Sequence, residues 1–248
     1  MASYEEKVHL ALNEWQQKMQ KNPSFANRMA KSIQCKINNI IPEKLHKIIT
    51  ITIENMIKAV LFGAKYTTTN KLANDASLQL KESYIKQQIS IYQKTATVEG
   101  AVTGAGGILM GLADFPVLIG IKMKLLFSIA VLYGFDVKDY KERLYILYVF
   151  QLAYSSQQRR NQIYDLLKNW ENYSIHLPRD ADEFDWRTFQ QEYRDYIDLA
   201  KMAQLIPVIG AAVGAIVNYQ LIALLGETAM NCYRMRVLKP LRIQDQDI

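Results

Sequence analysis

The segment GAVTGAGGILMGLADFPVLIGI, residues 100–121, decides how the rest of the sequence is interpreted. It holds six glycines and a single charged residue. Four of the glycines and the aspartate follow one another at steps of four, three, four and three, which aligns them on one face of a helix. These residues are Gly100, Gly104, Gly107, Gly111 and Asp114. Because each glycine costs about 1 kcal/mol of helix stability relative to alanine, the series predicts close contact with another backbone.

A second segment, residues 202–226, repeats this pattern and carries no charged residue. Gly210 and Gly214 begin Gly-Ala dipeptides with the same spacing as two in the first segment. Asn218 and Tyr219 follow one turn later. Helices with small residues at this spacing can approach one another almost backbone to backbone, in membranes and in soluble proteins. The sequence therefore predicts two Gly/Ala-rich helices packed together.

The length of these apolar stretches is also compatible with a membrane. Residues 202–226 exceed the roughly 20 residues that a helix needs to cross a bilayer. In the first segment Pro116 is expected to interrupt the helix, and Lys122 and Lys124 follow, so a single clean span is not expected there. Three interpretations stay open: a buried helical hairpin of a soluble protein, an element that lies in the membrane plane or inserts partly, and a true span.

The remaining sequence is also predicted to be helical, because strand patterns and hairpin turns are scarce. Residues 4–20 place apolar side chains at intervals of three to four. Further elements are helices at 24–40, 43–62, 76–93 and 138–157, a second apolar helix ending near Gly134, a polar insert at 159–185 that is expected to be a loop, a helix from Trp186, and a last helix ending near Leu238. The predicted fold class is all-α: an N-terminal helical region over 1–74, a single multi-helix core over 75–240 that holds the two Gly/Ala-rich helices, and a tail over 241–248.

The composition fits a globular protein of 248 residues, since half of them are apolar and 22% are charged. The first turns carry Glu5, Glu6 and Glu14 and no apolar run, so they lack the features of a secretory signal, and a cytoplasmic location is expected. The formal charge of +6 permits attraction to nucleic acid or to the anionic inner face of the cell membrane. Because the basic residues are scattered and no recognised module occurs, nucleic acid is the less favoured partner.

No sequence pattern identifies a catalytic, nucleotide or metal site. The string GAGGIL from Gly104 has Leu109 where a dinucleotide fingerprint needs its third glycine, and the Gly-Lys-Ser/Thr of a P-loop is missing. The histidines stand far apart without an HExxH pattern, and no GxSxG occurs. Cys35 and Cys232 form neither a CxxC motif nor a disulfide framework. We therefore predict no metal and no cofactor, and the catalytic residues of any enzyme activity are not identified.

Asp114 ends an otherwise apolar helix face and can be interpreted in two ways. Burial would raise the pKa of its carboxyl group unless the group is paired or hydrogen-bonded. It is therefore either a polar anchor within an apolar ligand pocket or a structural group, a helix cap or half of an ion pair, with Pro116 just beyond it.

The end of the last predicted helix interleaves four basic residues with apolar ones. They are Arg234, Arg236, Lys239 and Arg242. Such a run suits an anionic membrane surface, where each basic side chain contributes about 1 kcal/mol. It suits equally well buried ion pairs with the acidic residues of the insert, which cluster over 180–185. Both interpretations stay open.

Three stretches together resemble the core signature of EcsC-family proteins. They are residues 100–121 quoted above, YGFD at 133–136, and EYRDYIDLAKMAQLIPVIGAAVGAIVNYQLIALLGETAMNCYRMRVL at 192–238. The similarity covers roughly residues 75–240. It implies a bacterial protein associated with an ABC transporter linked to protein secretion and processing, and it carries over no catalytic residues. The positions that match are Gly100, Gly104, Gly107, Asp114, Pro116, Gly210, Gly214, Asn218, Tyr219, Asn231 and Arg236.

The favoured hypothesis is a peripheral membrane-associated helical protein that binds lipid or another amphiphile in a groove beside the two Gly/Ala-rich helices. Its role would be accessory to a membrane transport or secretion system, at the inner face of the cell membrane. One alternative is a lipid-directed hydrolase or transferase that uses Asp114, which should then face a cavity beside Asn218 or Tyr219. Another is a soluble scaffold in which the glycines serve packing alone.

Overall fold

The computed structural model describes residues 3–20, 43–62, 72–73, 75–105, 107–155, 157–179, 181–185, 187–189, 193 and 211–238. Over these ranges the secondary structure consists of helices without a β-strand, which confirms the all-α class. The elements are α1 (Tyr4–Gln20), α2 (Glu43–Phe62), α3 (Leu78–Ala105), α4 (Gly107–Tyr133), α5 (Tyr140–Tyr154), α6 (Gln157–Lys168), α7 (Trp170–Ile175), a short 3-10 helix (Ala181–Glu183) and α8 (Ala211–Val237).

The first two described helices have the predicted bounds. Ser3 and Glu6 form a capping box at the start of α1, because Ser3 Oγ accepts from the Glu6 amide at 3.2 Å and Glu6 Oε2 accepts from the Ser3 amide at 2.7 Å. The buried residues of α1 are Val8, Leu12 and Trp15, at the predicted spacing. The helix predicted at 24–40 lies outside the described residues.

The prediction that Pro116 interrupts the first Gly/Ala-rich segment is wrong. Helix α4 runs through Pro116, whose ring is exposed. A proline inside a helix costs about 3 kcal/mol. The flanking residues Phe115, Leu118 and Ile119 are buried, and each such side chain contributes roughly 1.5–3 kcal/mol, so core packing outweighs the proline.

The chain instead divides between Ala105 and Gly107, within the glycine series. Gly100 and Gly104 end α3, whereas Gly107 and Gly111 begin α4. The helix expected to carry all four glycines is therefore two helices. A string of consecutive small residues with two adjacent glycines is the weakest helix-forming part of the segment, which explains why the division falls there.

Helices α3, α4 and α8 form the centre of the fold. Tyr133 at the end of α4 donates to Glu82 at the start of α3, over 3.1 Å, so these two helices are antiparallel. Helix α8 is antiparallel to α3, because Arg234 binds Glu82 whereas the carbonyl of Tyr219 accepts from Gln93. The contact between α3 and α8 is the most extensive helix contact of the described elements. The first Gly/Ala-rich segment is thus shared by α3 and α4, and both helices pack on α8, which carries the second.

At Gly226, the last residue of the second segment, the backbone of α8 lies close to the Ile89 side chain of α3. A Cβ atom there would lie 2.6 Å from Cδ1 and 2.7 Å from Cγ1 of Ile89 on α3. The structure does not describe what surrounds Gly100, Gly104, Gly107, Gly111 or Gly214. Gly210 lies outside the described residues. The contact predicted for those glycines stays a prediction.

The N-terminal helices share the core of the central ones. Trp15 of α1 contacts Tyr164 of α6 edge to face, with ring centroids 5.9 Å apart, and Ile53 of α2 is buried in the same cluster. Among the described residues, one segment, Phe115–Tyr133, is long and apolar enough to cross a membrane, with a mean hydropathy of 2.0. Since 72% of that window is buried within the fold, its apolarity is that of a core helix.

Candidate functional site

Three polar side chains lie at one level of the contact between α3, α4 and α8. Lys122 of α4 and Asn218 of α8 are fully buried, and Gln93 of α3 is nearly so. Lys122 Nζ donates to Asn218 Oδ1 over 3.4 Å, and Gln93 Nε2 donates to the Tyr219 carbonyl over 3.5 Å. The three helices thus contribute one polar group each to a single level of the core, which we name the polar layer.

Helical periodicity places Lys122 inward. It lies one turn after Leu118 and precedes Leu125 and Leu126 at steps of three and four, and all three leucines are fully buried. The position is therefore a core position of α4 occupied by a lysine. The sequence contained this signal, although we had interpreted Lys122 only as an obstacle to crossing a membrane.

Burial lowers the pKa of the Lys122 amine to about 7, because the interior disfavours its charged form. None of the ion pairs formed by the described side chains includes Lys122. Lysine is rarely buried without a charged partner, so this residue is costly for the fold. A strongly perturbed lysine inside a core is a common mark of a functional site.

Asn218 has an unsatisfied donor as well. Within the described part of the chain, its Nδ2 atom is buried and has no hydrogen-bond partner. The next residue, Tyr219, is 48% exposed, so the two predicted site residues face different sides of α8, about 100° apart.

The other end of α8 carries two ion pairs. Arg234 donates to Glu82 through Nε and Nη2 of its guanidinium group. Glu82 also accepts from Tyr4 at 2.7 Å and from Tyr133. Burial alone would raise the pKa of Glu82, but these hydrogen bonds and the charge of Arg234 lower it. A carboxylate that accepts four donors stays ionised although it is fully buried.

Arg236 binds Glu142 of α5 at 2.7 Å, and Tyr233 donates to the same carboxylate at 2.6 Å. The guanidinium group also stacks on the Phe135 ring, 3.8 Å from its centroid. Burial raises the pKa of Glu142, and Arg236 and Tyr233 only partly oppose that shift.

These contacts identify the partners of Arg234 and Arg236, the first two basic residues of the run at the end of α8. The side chains of Arg234 and Arg236 are 11% and 12% exposed and form inward ion pairs. Their principal partners are on α3 and α5, not among the acidic residues of 180–185, because α8 lies antiparallel to α3. Among the described carboxylates of the insert, Glu171 approaches Arg236, at 3.8 Å. The prediction that the insert is a loop is wrong, because its first part forms α6 and α7. Lys239 and Arg242 lie outside the described residues.

Among the remaining predicted residues that the structure describes, Pro116 lies away from the polar layer. Pro116 borders a cavity between α2 and α4 of about 190 Å³, lined also by Thr52, Met56 and Gly120. Asp114 lies on α4 two turns before Lys122, and its side chain is not among those described. A contact of Asp114 with Asn218 or Tyr219 therefore stays a prediction. No group of three His, Cys, Asp or Glu side chains suited to a metal occurs in the described ranges.

This architecture defines an all-helical protein in which a buried polar layer joins α3, α4 and α8, and two ion pairs connect α8 to α3 and α5. The sequence model of the EcsC protein family matches residues 6–238, and the chain belongs to this family. The match includes most of the predicted N-terminal region as well as the core.

Two curated proteins of Bacillus subtilis strain 168 are similar to the chain. Protein EcsC is 46% identical over 226 residues, which cover 91% of this chain and 93% of the relative. The uncharacterized protein YdbA is 33% identical over 154 residues, which cover 62% of this chain and 57% of the relative. No solved structure matches the chain.

Proposed function

We propose that the protein is a peripheral membrane-associated protein that binds lipid at the inner face of the cell membrane, as an accessory of an ABC-transporter-linked secretion system. The observation that carries the lipid-binding part is an exposed apolar stripe on α3. The accessory role rests on family resemblance.

The stripe consists of large apolar side chains that are each 43% to 63% exposed. Its members are Leu80, Tyr84, Ile91 and Val98. Their steps of four, seven and seven keep them on one helix face, opposite the face that buries Glu82, Ile85 and Gln93. The polar residues Gln87 and Lys94 lie on the same face, and the four apolar side chains pack on nothing else in the described fold, so this row is a candidate docking surface.

The charges beside the stripe favour an anionic bilayer as its occupant. Between residues 78 and 98 the exposed charges of α3 are Lys86 and Lys94, and Lys81 is half-buried, whereas the single carboxylate, Glu82, is buried and paired. Exposed apolar side chains beside lysines, with a tyrosine among them, suit contact with an anionic membrane surface.

Helix α8 extends the apolar surface at one end of α3. Ile216 and Tyr219 are about half exposed, and Tyr219 is adjacent to the hydrogen bond with Gln93. The antiparallel register places them beside the end of α3 that carries Val98. Because α4 is buried, the contact with lipid would be made by the outer faces of α3 and α8, without a spanning helix.

Flotation with lipid vesicles tests the proposal. The purified full chain should float with vesicles of phosphatidylglycerol at low salt and less with phosphatidylcholine, because lysines favour the anionic headgroup. The double variant Ile91→Ser/Val98→Ser should float less. A control is Leu10→Ser/Ile175→Ser, which changes two apolar residues on α1 and α7 that are at least as exposed as Ile91 and Val98. Full recovery of the unaltered protein in the soluble fraction would count decisively against membrane binding.

A further inference from the structure

The polar layer holds a buried donor without an acceptor in the described fold, Asn218 Nδ2, next to a buried lysine. A protonated Lys122 carries three N–H donors and Asn218 carries two on Nδ2. The Nζ contact to Asn218 Oδ1 is long, at 3.4 Å, and Nδ2 has no partner in the described fold. Buried unmet donors are costly, so the arrangement lacks an acceptor.

The chemistry of these donors specifies the acceptor. A lysine ammonium favours a negative charge, and an amide beside it can donate to a second oxygen of the same group. We propose that Lys122 and Asn218 form a receptor for an oxyanion headgroup, a carboxylate or a phosphate, that belongs to a single-chain amphiphile. A bound anion also favours the charged form of Lys122, which burial otherwise disfavours.

The surroundings explain why the anion would carry an apolar chain. Tyr219, the residue after Asn218 on α8, is about half exposed and carries a large apolar ring. A headgroup that reaches Lys122 from this side leaves its chain along that ring. A chain-free anion would not make this contact. Lys122 is fully enclosed in this structure, so the side-chain layer around Tyr219 moves aside on binding.

This inference deepens the proposed lipid-binding function by naming a headgroup site, and its test does not depend on a bilayer. Isothermal titration calorimetry of the full chain would use dodecanoate and dodecyl phosphate below their micelle-forming concentrations. Acetate and inorganic phosphate are the chain-free anions, and dodecyltrimethylammonium is the cationic amphiphile. We expect one or both anionic amphiphiles to bind, and the other three ligands to bind at least about tenfold more weakly.

Variants separate this site from general apolar binding. Lys122→Met and Asn218→Leu should each weaken binding of the anionic amphiphile by about tenfold or more. Lys124→Met is the matched control, because Lys124 is exposed on the same helix two residues away, and it should bind as the unaltered chain does. Circular dichroism and thermal unfolding verify that each variant is folded.

The inference is overturned if Lys122→Met and Asn218→Leu bind dodecanoate and dodecyl phosphate as tightly as the unaltered protein, or if neither amphiphile binds. Equal binding of the cationic amphiphile, or of the chain-free anions, would also overturn it. Binding that requires Lys122, in a protein that does not float with vesicles, would uphold this site and refute the proposed membrane association. Flotation of a protein that binds neither anionic amphiphile would support membrane association and refute this site.

Discussion

Glu82 and Arg234 form a bidentate ion pair across 152 residues of sequence, with Nε to Oε1 at 2.7 Å and Nη2 to Oε2 at 2.6 Å. The pair joins the first turns of α3 to the last turns of α8. Tyr4 of α1 and Tyr133 of α4 donate to the same carboxylate, so four helices meet at one buried charge. This cluster fixes the antiparallel register in which the two Gly/Ala-rich helices pack.

Removing the charge of Glu82 should destabilise the fold strongly. In Glu82→Gln the Arg234 guanidinium stays largely buried but loses its counter-charge, which typically costs about 3–5 kcal/mol. We expect the free energy of unfolding, measured by urea denaturation, to fall by that order. Glu227→Gln, on the exposed face of α8, should change it by less than about 0.5 kcal/mol.

The double variant Glu82→Leu/Arg234→Met completes this experiment. Because both charges are removed together, it should recover most of the stability that Glu82→Gln loses. A loss below about 1 kcal/mol for Glu82→Gln alone would show that the pair does not hold the helices in register.

Local patterns in the sequence predicted most of the helices but not how the centre is divided. Helices α1 and α2 have the predicted bounds because amphipathic spacing and nearby prolines are local signals. The continuation of α4 through Pro116 depends on burial of Phe115 and Leu118, which no local pattern reports. The division of the glycine series likewise depends on α3 and α4 folding back on each other.

The candidate site was only partly predicted, for a similar reason. The small-residue pattern led to Asn218, which is buried in the polar layer, but it also led to Tyr219, which is exposed. Lys122 was not recognised as a site residue, although the leucines that flank it place it inward, because its charge was interpreted only as an obstacle to crossing a membrane. The partners of Arg234 and Arg236 depend on long-range pairing, which the sequence alone did not specify.

Gly226 should not tolerate a larger residue. In Gly226→Ala the new Cβ would lie under 3 Å from two atoms of Ile89, so α3 and α8 must move apart or Ile89 must leave its rotamer. Overpacking of this kind costs roughly 1–3 kcal/mol, against a gain of nearly 1 kcal/mol in helix propensity. We expect a net fall in the free energy of unfolding, measured by urea denaturation.

Ile89→Ala provides the test of that cause. Because it removes the three atoms that the new methyl group meets, the double variant Gly226→Ala/Ile89→Ala should be more stable than the sum of the two single effects predicts. Strict additivity would mean that the close approach at Gly226 does not limit the helix contact.

Lys122 should make the stability of the ligand-free protein depend on pH. The pKa of its amine is lowered to about 7 in the folded chain, from about 10.5 in the unfolded chain. Between these values the unfolded state binds more protons than the folded state, so the contribution of Lys122 to stability improves as pH rises from 7 towards 10.5 and is worst below 7.

Lys122→Met removes this dependence and leaves every other titrating group in place. Urea denaturation should therefore find the variant more stable than the unaltered chain at about pH 6, and its advantage should be about 2–3 kcal/mol smaller at about pH 9. Lys124→Met, which changes an exposed lysine, should show no such trend. An advantage that is the same at both pH values would mean that Lys122 keeps its proton in the folded protein, and hence that an anionic group already neutralises it.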